Sequence, residues 1–119
     1  LHADIWPVAD RAMKYVATRH APPVLWQPTT YLNQPTSELT RLKQQDGPPF
    51  HVWGSSQLVH TLYQADLIDE LRLIIYPVII GSGKRLFPDR GMTPLMWNVK
   101  ERQLIENGVS IVCYERNKN

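Results

Sequence analysis

Three small residues, Gly54-Ser55-Ser56, stand where an apolar run gives way to a helical pattern. The run before them, Phe50-His51-Val52-Trp53, predicts a strand, and the apolar residues after them recur at helical spacing: Leu58, Val59, Leu62 and Tyr63. A glycine lets a ligand approach the backbone closely, and the first N–H groups of a helix favour an anion. Both serines add hydroxyl donors, and either can cap the helix. The segment suits a phosphate-binding turn, although plain strand-to-helix turns of this composition are common.

Two other nucleotide-binding motifs and the common metal-binding patterns do not match this sequence. Gly81-Ser82-Gly83 follows a strand, but Leu86 stands where a GxGxxG motif needs its last glycine, and Pro88 soon interrupts a helix. A P-loop needs Gly-Lys-Ser/Thr, whereas this chain has Gly83-Lys84-Arg85. Cys113 is the only cysteine, so no internal disulfide or Cys/His zinc site can form. The four histidines lack metal-ligand spacing and are expected at the surface or in the core: His2, His20, His51 and His60.

Candidate acids and bases favour structural roles. Asp69 and Glu70 are adjacent at the start of a strand, so their side chains point to opposite faces and do not form one acid/base pair. Lys84 and Arg85 fit a solvated turn better than a phosphate site. Cys113 alternates with Ile111 and Glu115 in a strand and is expected as an inert buried thiol. The tryptophans are core candidates, including Trp53, for which burial is favoured over a place beside a cofactor ring. No proton donor is nominated.

The elements that must position these residues alternate between helices and strands. The spacing of apolar residues and the positions of proline and glycine predict the elements. In the first half they are a helix over 4–13, a strand over 14–18, an extended piece over 24–26 and a helix over 37–45 capped by Thr36. In the second half they are the strand over 50–53, a helix ending near Asp66, a doubly buried strand over 71–76, and two strands over 95–104 and 109–115. The last two are joined through Asn107-Gly108, a hairpin signal. This order predicts an α/β fold with a sheet that is parallel in the middle and antiparallel at one edge.

Length and composition predict one globular domain covering residues 1–119. The net charge of +2 comes from scattered basic residues, which does not suggest a nucleic-acid binder. The apolar stretch Leu73–Ile80 is too short to cross a bilayer, and the first residues lack the pattern of a signal peptide. A single cysteine fits a reducing compartment, so a cytoplasmic protein without membrane association is expected.

Three linked motifs resemble one known family. They are Gly54-Ser55-Ser56-Gln57-Leu58, then Leu67-Ile68-Asp69-Glu70-Leu71, then Pro77-Val78-Ile79-Ile80-Gly81-Ser82-Gly83-Lys84-Arg85-Leu86-Phe87. The chain resembles the dihydrofolate-reductase-like proteins that include the C-terminal reductase domain of bacterial riboflavin biosynthesis. The strand from Lys14 to Arg19, Trp26 and the late strand ending at Glu115 also fit, so the resemblance covers nearly all of the chain.

The resemblance implies a fold and a cofactor. It implies a three-layer α/β/α domain with a mostly parallel sheet and an antiparallel C-terminal edge. It also implies that the family's first strand, with its Ser-x-Asp-Gly type segment, and the helix and strand after it are missing here. Gly54, Ser55 and Ser56 would lie against the pyrophosphate of NADPH, while Thr18 and Arg19 would approach the adenosine ribose and its 2′-phosphate. The planar fork of an arginine suits a phosphate.

The function that the resemblance implies is NADPH-dependent reduction of a small heterocyclic substrate. The nearest named activity is reduction of 5-amino-6-(5-phosphoribosylamino)uracil in riboflavin biosynthesis. A homodimer is expected because relatives commonly pair. The alternative is a non-catalytic nucleotide-binding or dimerising module, favoured by the missing N-terminal region and the lack of a convincing acid. A third hypothesis, nucleic-acid binding, is supported by the mild positive charge alone.

Overall fold

The computed structural model describes residues 5–20, 23, 26–88 and 91–117. Within them the chain forms three α-helices, five β-strands and a short 3-10 turn, which confirms a mixed α/β fold. The chain divides into two compact units, Leu1–Pro49 and Phe50–Asn119.

The first unit contains two helices and a parallel strand pair. Its elements are α1 (Ile5–Arg11), β1 (Lys14–Ala17), β2 (Thr29–Leu32) and α2 (Pro35–Lys43). β1 and β2 run parallel, with Lys14 beside Thr29 at one end and Ala17 beside Leu32 at the other. Leu32 is buried. β2 was not predicted, although its run of threonines, tyrosine and leucine has the β-branched and aromatic composition that strands favour.

Lys14 connects the end of α1 to the start of β1. Its ammonium donates hydrogen bonds to the carbonyl oxygens of Ala9, Asp10 and Ala12 at 3.1, 2.9 and 3.0 Å. A cation at this position complements the negative C-terminal end of the helix. The same ammonium lies 4.5 Å from the ring centre of Trp26, whose indole N–H donates to the Asp10 carboxylate at 2.8 Å. One side chain therefore holds a helix end, a strand and an aromatic ring together.

Replacing Lys14 with methionine should lower the free energy of unfolding by about 1–3 kcal/mol, because charge-assisted bonds to helix carbonyls and a cation–π contact are lost together. Urea unfolding followed by circular dichroism measures the change. The control is Lys84→Met, at an exposed lysine, which should change stability by less than about 0.5 kcal/mol. Equal urea midpoints of unfolding for the Lys14 and Lys84 variants would contradict this role of Lys14.

The second unit consists of a helix and an antiparallel sheet. Its elements are α3 (Ser56–Gln64), β3 (Glu70–Ile75), β4 (Trp97–Leu104), the 3-10 turn (Glu106–Gly108) and β5 (Ser110–Arg116). The strand order is β3-β5-β4, and both ladders are antiparallel. Asn107 and Gly108 have φ values of 68° and 78°, the left-handed conformation that this tight connection requires. The predicted hairpin and antiparallel edge are confirmed.

Aromatic packing and one ion pair fix α3 within this unit. The Tyr63 ring meets Phe87 edge-on at 6.2 Å and stacks with Trp97 at 6.3 Å between ring centres. Leu62 is buried at 2% exposure. Beyond the helix, Arg116 forms an ion pair with Asp66 and also donates to its carbonyl oxygen at 3.3 Å. The end of α3 is therefore tied to the end of β5.

An ion pair crosses the sheet from β4 to β3. The β4 ladder shifts register between Val99 and Glu101, and the Lys100 side chain at this bulge donates to the Glu70 carboxylate. This hydrogen bond and the carboxylate charge raise the pKa of Lys100 above its ordinary value. Because the folded-state pKa is raised, the pair contributes to stability at neutral pH, and the contribution is lost as pH rises through that pKa. Glu70 thus pairs with a cation from the other side of the sheet.

Four sequence predictions differ from the structure. Residues 50–53 form no ladder with any described strand, so their strand composition is not realised as a sheet. Helix α2 begins at Pro35 with Gln34 as its cap residue, not Thr36, because proline suits the first helical position. β3 lies at one end of its sheet's order, and its adjacent residues Ile74 and Ile75, which point to opposite faces, are both exposed, so this end of the strand is not doubly buried. Among the described strands, the β1–β2 ladder alone is parallel, and both ladders of the second unit are antiparallel. Of the piece predicted over 24–26, residues 24 and 25 lie outside the described residues.

Candidate functional site

The first turn of α3 presents uncapped backbone amides. Ser55 occupies the cap position with extended backbone angles, and its carbonyl oxygen accepts the Val59 N–H at 3.0 Å. The Ser55 side chain makes no cap hydrogen bond to the helix. The first amides of any α-helix have no acceptor within the helix, and they carry the positive end of the helix dipole. Donors at Ser56 and the next residues therefore remain available to an anion.

The backbone before this helix is open to a ligand. Gly54 has a φ of 151°, which side-chain-bearing residues rarely adopt, and the Gly54–Ser55 peptide bond is cis. A Cβ atom added at Gly54 would meet no other atom within 4 Å. Gly54 and Ser55 are exposed, and Ser56 is half-buried. Apart from the neighbouring Trp53 and Ser55, no described residue therefore occupies the space at the Cβ position of Gly54.

Thr18 and Arg19 lie directly after β1 in the first unit. The Thr18 N–H donates to the Leu32 carbonyl at 3.0 Å and extends the β1–β2 pairing by one bond. The Thr18 hydroxyl oxygen accepts the His20 N–H at 3.1 Å, and Arg19 is exposed. The five predicted cofactor residues thus form two groups, Thr18 and Arg19 in the first unit and Gly54, Ser55 and Ser56 in the second.

The remaining candidate residues are the histidines, the cysteine and the acidic side chains. Among the described residues, no group of histidine, cysteine, aspartate or glutamate side chains could hold a metal ion. His20 and His51 are exposed, and His60 is half-buried with its Nε2 lacking a hydrogen-bond partner in the described chain. Cys113 is buried at 3% exposure, as predicted. His2 lies outside the described residues.

The expectation that the tryptophans belong to the core is wrong for three of the four. Trp6, Trp26 and Trp53 are 61%, 44% and 80% exposed, and only Trp97 is half-buried. Trp6 and Trp26 line an open cavity of about 420 Å³ in the first unit, together with Pro7 and Asp10. Residue type predicts burial only on average, because it does not identify the atoms that would cover a given indole.

One family model accounts for most of the chain. The model described as the RibD C-terminal domain matches residues 8–111. The chain belongs to the RibD C-terminal domain family. This family consists of riboflavin-biosynthesis reductase-like domains that typically use NADPH. The recognition from linked motifs is confirmed.

Two proteins of Bacillus subtilis (strain 168) are similar in sequence to this RibD C-terminal domain. It is 31% identical to YyaP over 86 residues, which is 72% of this chain and 46% of that protein. It is 32% identical to YwjB over 84 residues, which is 70% of this chain and 48% of YwjB. Both relatives are named as uncharacterized proteins. The chain thus spans about half the length of the curated relatives it matches.

A crystal structure from Shewanella sp. PV-4, named "Putative riboflavin biosynthesis protein", shares the fold. The TM-score is 0.61 at 17% identity, and the match covers 89% of this chain and 60% of that chain. At this identity the likeness shows the fold alone. Within the described residues, no helix of this RibD C-terminal domain has the length and apolar character needed to span a membrane.

Proposed function

We propose that this domain is an NADPH-dependent reductase, with reduction of 5-amino-6-(5-phosphoribosylamino)uracil as the nearest activity. The single observation that carries the proposal is the open, uncapped turn at Gly54–Ser56, in a chain of the RibD C-terminal domain family. The proposal assigns the binding of the cofactor to named residues. It leaves the proton donor unassigned.

The pyrophosphate of the cofactor is assigned to the first turn of α3. Gly54 leaves free the space that a side chain would fill, so phosphate oxygens can reach the backbone. The Ser56 amide and those after it donate toward an anion, and the Ser55 hydroxyl, which makes no cap bond, adds a donor. Hydrogen bonds to a charged phosphate are about twice as strong as neutral ones.

The adenosine end of the cofactor is assigned to Thr18 and Arg19. Arg19 is exposed directly after β1, so its guanidinium is accessible to a phosphate on the ribose. Paired N–H donors in a fixed plane match phosphate geometry. Thr18 has its backbone N–H bonded to Leu32, which holds this end of the strand in place. Together these assignments predict a preference for NADPH over NADH.

The nicotinamide cofactor, when bound, supplies the hydride that reduces the substrate. The contribution of the chain is to bind the phosphates and so to orient the cofactor. A calorimetric titration tests the proposal. Saturable NADPH binding that is tighter than NADH binding is expected, and no saturable binding of either would refute it. Binding without turnover of any pyrimidine or pterin substrate would favour the non-catalytic module instead.

We also propose the wider setting of this function. A single three-layer α/β/α domain is supported by one family model that matches residues 8–111, across the boundary between the two units. A homodimer is supported by exposed apolar side chains in the second unit: Ile74, Ile79, Ile80 and Leu104. Light scattering of the purified chain tests the dimer.

We propose a cytoplasmic location without nucleic-acid or membrane partners, which fits the scattered charge and the single cysteine.

An aspartate at position 55 should separate helix stability from cofactor binding. Ser55→Asp should keep or raise stability, by up to about 1 kcal/mol, because a carboxylate favours a helix N-terminus. The same charge should weaken NADPH binding roughly 10- to 100-fold by repelling the pyrophosphate. The matched control is Gln34→Asp at the cap position of α2, a helix of equal length that also lacks a side-chain cap. Its NADPH affinity should be unchanged. Equal affinities for the two variants would contradict the assignment.

Arg19 should determine the choice between the two nicotinamide cofactors. Arg19→Gln should weaken NADPH binding about 10- to 100-fold, the contribution of one or two charge-assisted bonds, and leave NADH binding unchanged. Arg41→Gln, at an exposed arginine on α2, serves as the control and should alter neither affinity. Calorimetry with both cofactors measures the ratio of the NADPH affinity to the NADH affinity. A parallel loss of NADPH and NADH affinity would mean that Arg19 does not contact the 2′-phosphate.

A further inference from the structure

The indole of Trp53 is exposed directly before the proposed phosphate-binding turn. At 80% exposure it is the most exposed of the tryptophans that the structure describes. Tryptophan is usually well covered, because its large apolar surface gains free energy on burial. Neighbouring Val52 is also exposed, at 45%, and a Cβ at Gly54 would meet no atom within 4 Å. Apart from Trp53 and Ser55 themselves, no described residue therefore occupies the Cβ position of Gly54, the next residue along the chain.

The geometry points to Trp53 as the residue that stacks on the nicotinamide ring, an inference that rests on the proposed function. Trp53 lies two residues before the cap of α3, at most about 7 Å of extended chain. In a dinucleotide only a ribose separates each ring from the pyrophosphate, so a ring bound beside α3 lies within reach of this indole. Because Thr18 and Arg19 are assigned to the adenosine end, the ring left for Trp53 is the nicotinamide.

The chemistry of the two rings favours this contact. Stacking on an aromatic side chain requires only a planar π face, and one such contact contributes substantially to the binding of a base. The oxidised nicotinamide ring is also a cation, which is attracted to the electron-rich face of an indole. Trp53 would therefore hold the reactive ring while the α3 amides hold the phosphates. Leucine at this position keeps apolar bulk but removes the π face, and phenylalanine keeps a smaller one.

The test compares ligands with and without the nicotinamide ring. NADPH, NADP⁺ and 2′-phospho-ADP-ribose, which lacks that ring, are titrated by calorimetry into the full chain and its variants. Trp53→Leu should bind NADPH and NADP⁺ roughly 5- to 150-fold more weakly and 2′-phospho-ADP-ribose unchanged. Trp53→Phe should recover most of the affinity. Trp6→Leu, at another exposed indole, is the control, and circular dichroism checks that each variant is folded.

The outcomes separate this inference from the function on which it rests. Wild-type binding of 2′-phospho-ADP-ribose reports on the phosphate site independently of Trp53. If the wild type binds all three ligands and Trp53→Leu binds NADPH equally well, the stacking role is refuted and the phosphate site stands. An equal loss for all three ligands also refutes nicotinamide stacking. If the wild type binds none of them, the proposed function itself fails.

Discussion

NADPH binding should fall by about 100-fold or more when Gly54 is replaced by valine, because several charge-assisted phosphate bonds are lost together. Two physical effects lead to this result. The φ of 151° at Gly54 is strained for any residue with a side chain. The valine side chain would also occupy the space that the phosphate oxygens need. Calorimetry measures the loss of binding, and circular dichroism tests whether the variant is folded.

A second glycine provides the matched control. Gly47 is also exposed and has no atom within 4 Å of an added Cβ, but its φ lies outside the left-handed range. Gly47→Val should therefore bind NADPH like the wild type. Should Gly54→Val fail to fold, the smaller Gly54→Ala gives the same comparison against Gly47→Ala. Wild-type affinity in a folded Gly54 variant would show that the phosphates bind elsewhere.

Shortening Leu62 to alanine should lower the free energy of unfolding by about 2–5 kcal/mol, the range for buried leucines. Leu62 is 2% exposed on α3, so the substitution removes packed methyl groups and leaves a cavity. Urea unfolding measures the loss. Leu104→Ala, at a leucine that is 75% exposed, should cost far less. Similar losses for the two variants would mean that α3 is not anchored through Leu62.

Local sequence signals predicted the helices and turns whose conformation depends mainly on their own residues. The apolar spacing from Leu58 to Tyr63 predicted α3, and the structure starts it at Ser56 as expected. Asn107-Gly108 predicted the hairpin, because the turn conformation depends on those two residues. The linked motifs also predicted the family, which the match over residues 8–111 confirms.

Features that depend on distant partners were less predictable. The run over 50–53 has strand composition, but a ladder needs a second strand, which composition does not supply. The exposure of Trp53 and Ile75 likewise depends on which atoms lie over them. At the candidate site, the sequence predicted a small-residue turn before a helix. The left-handed backbone of Gly54 and the uncapped state of Ser55 required coordinates.

The most direct test of the phosphate site monitors the signals of the individual backbone amides. In a chain of 119 residues, nitrogen-15 NMR resolves individual N–H groups during a titration with NADPH. The largest shifts are expected at Ser56, Gln57 and Leu58, and the first-turn amides of α2 at Thr36 and Ser37 should serve as the unshifted reference. Saturable binding that left the three α3 amides unshifted would contradict the account.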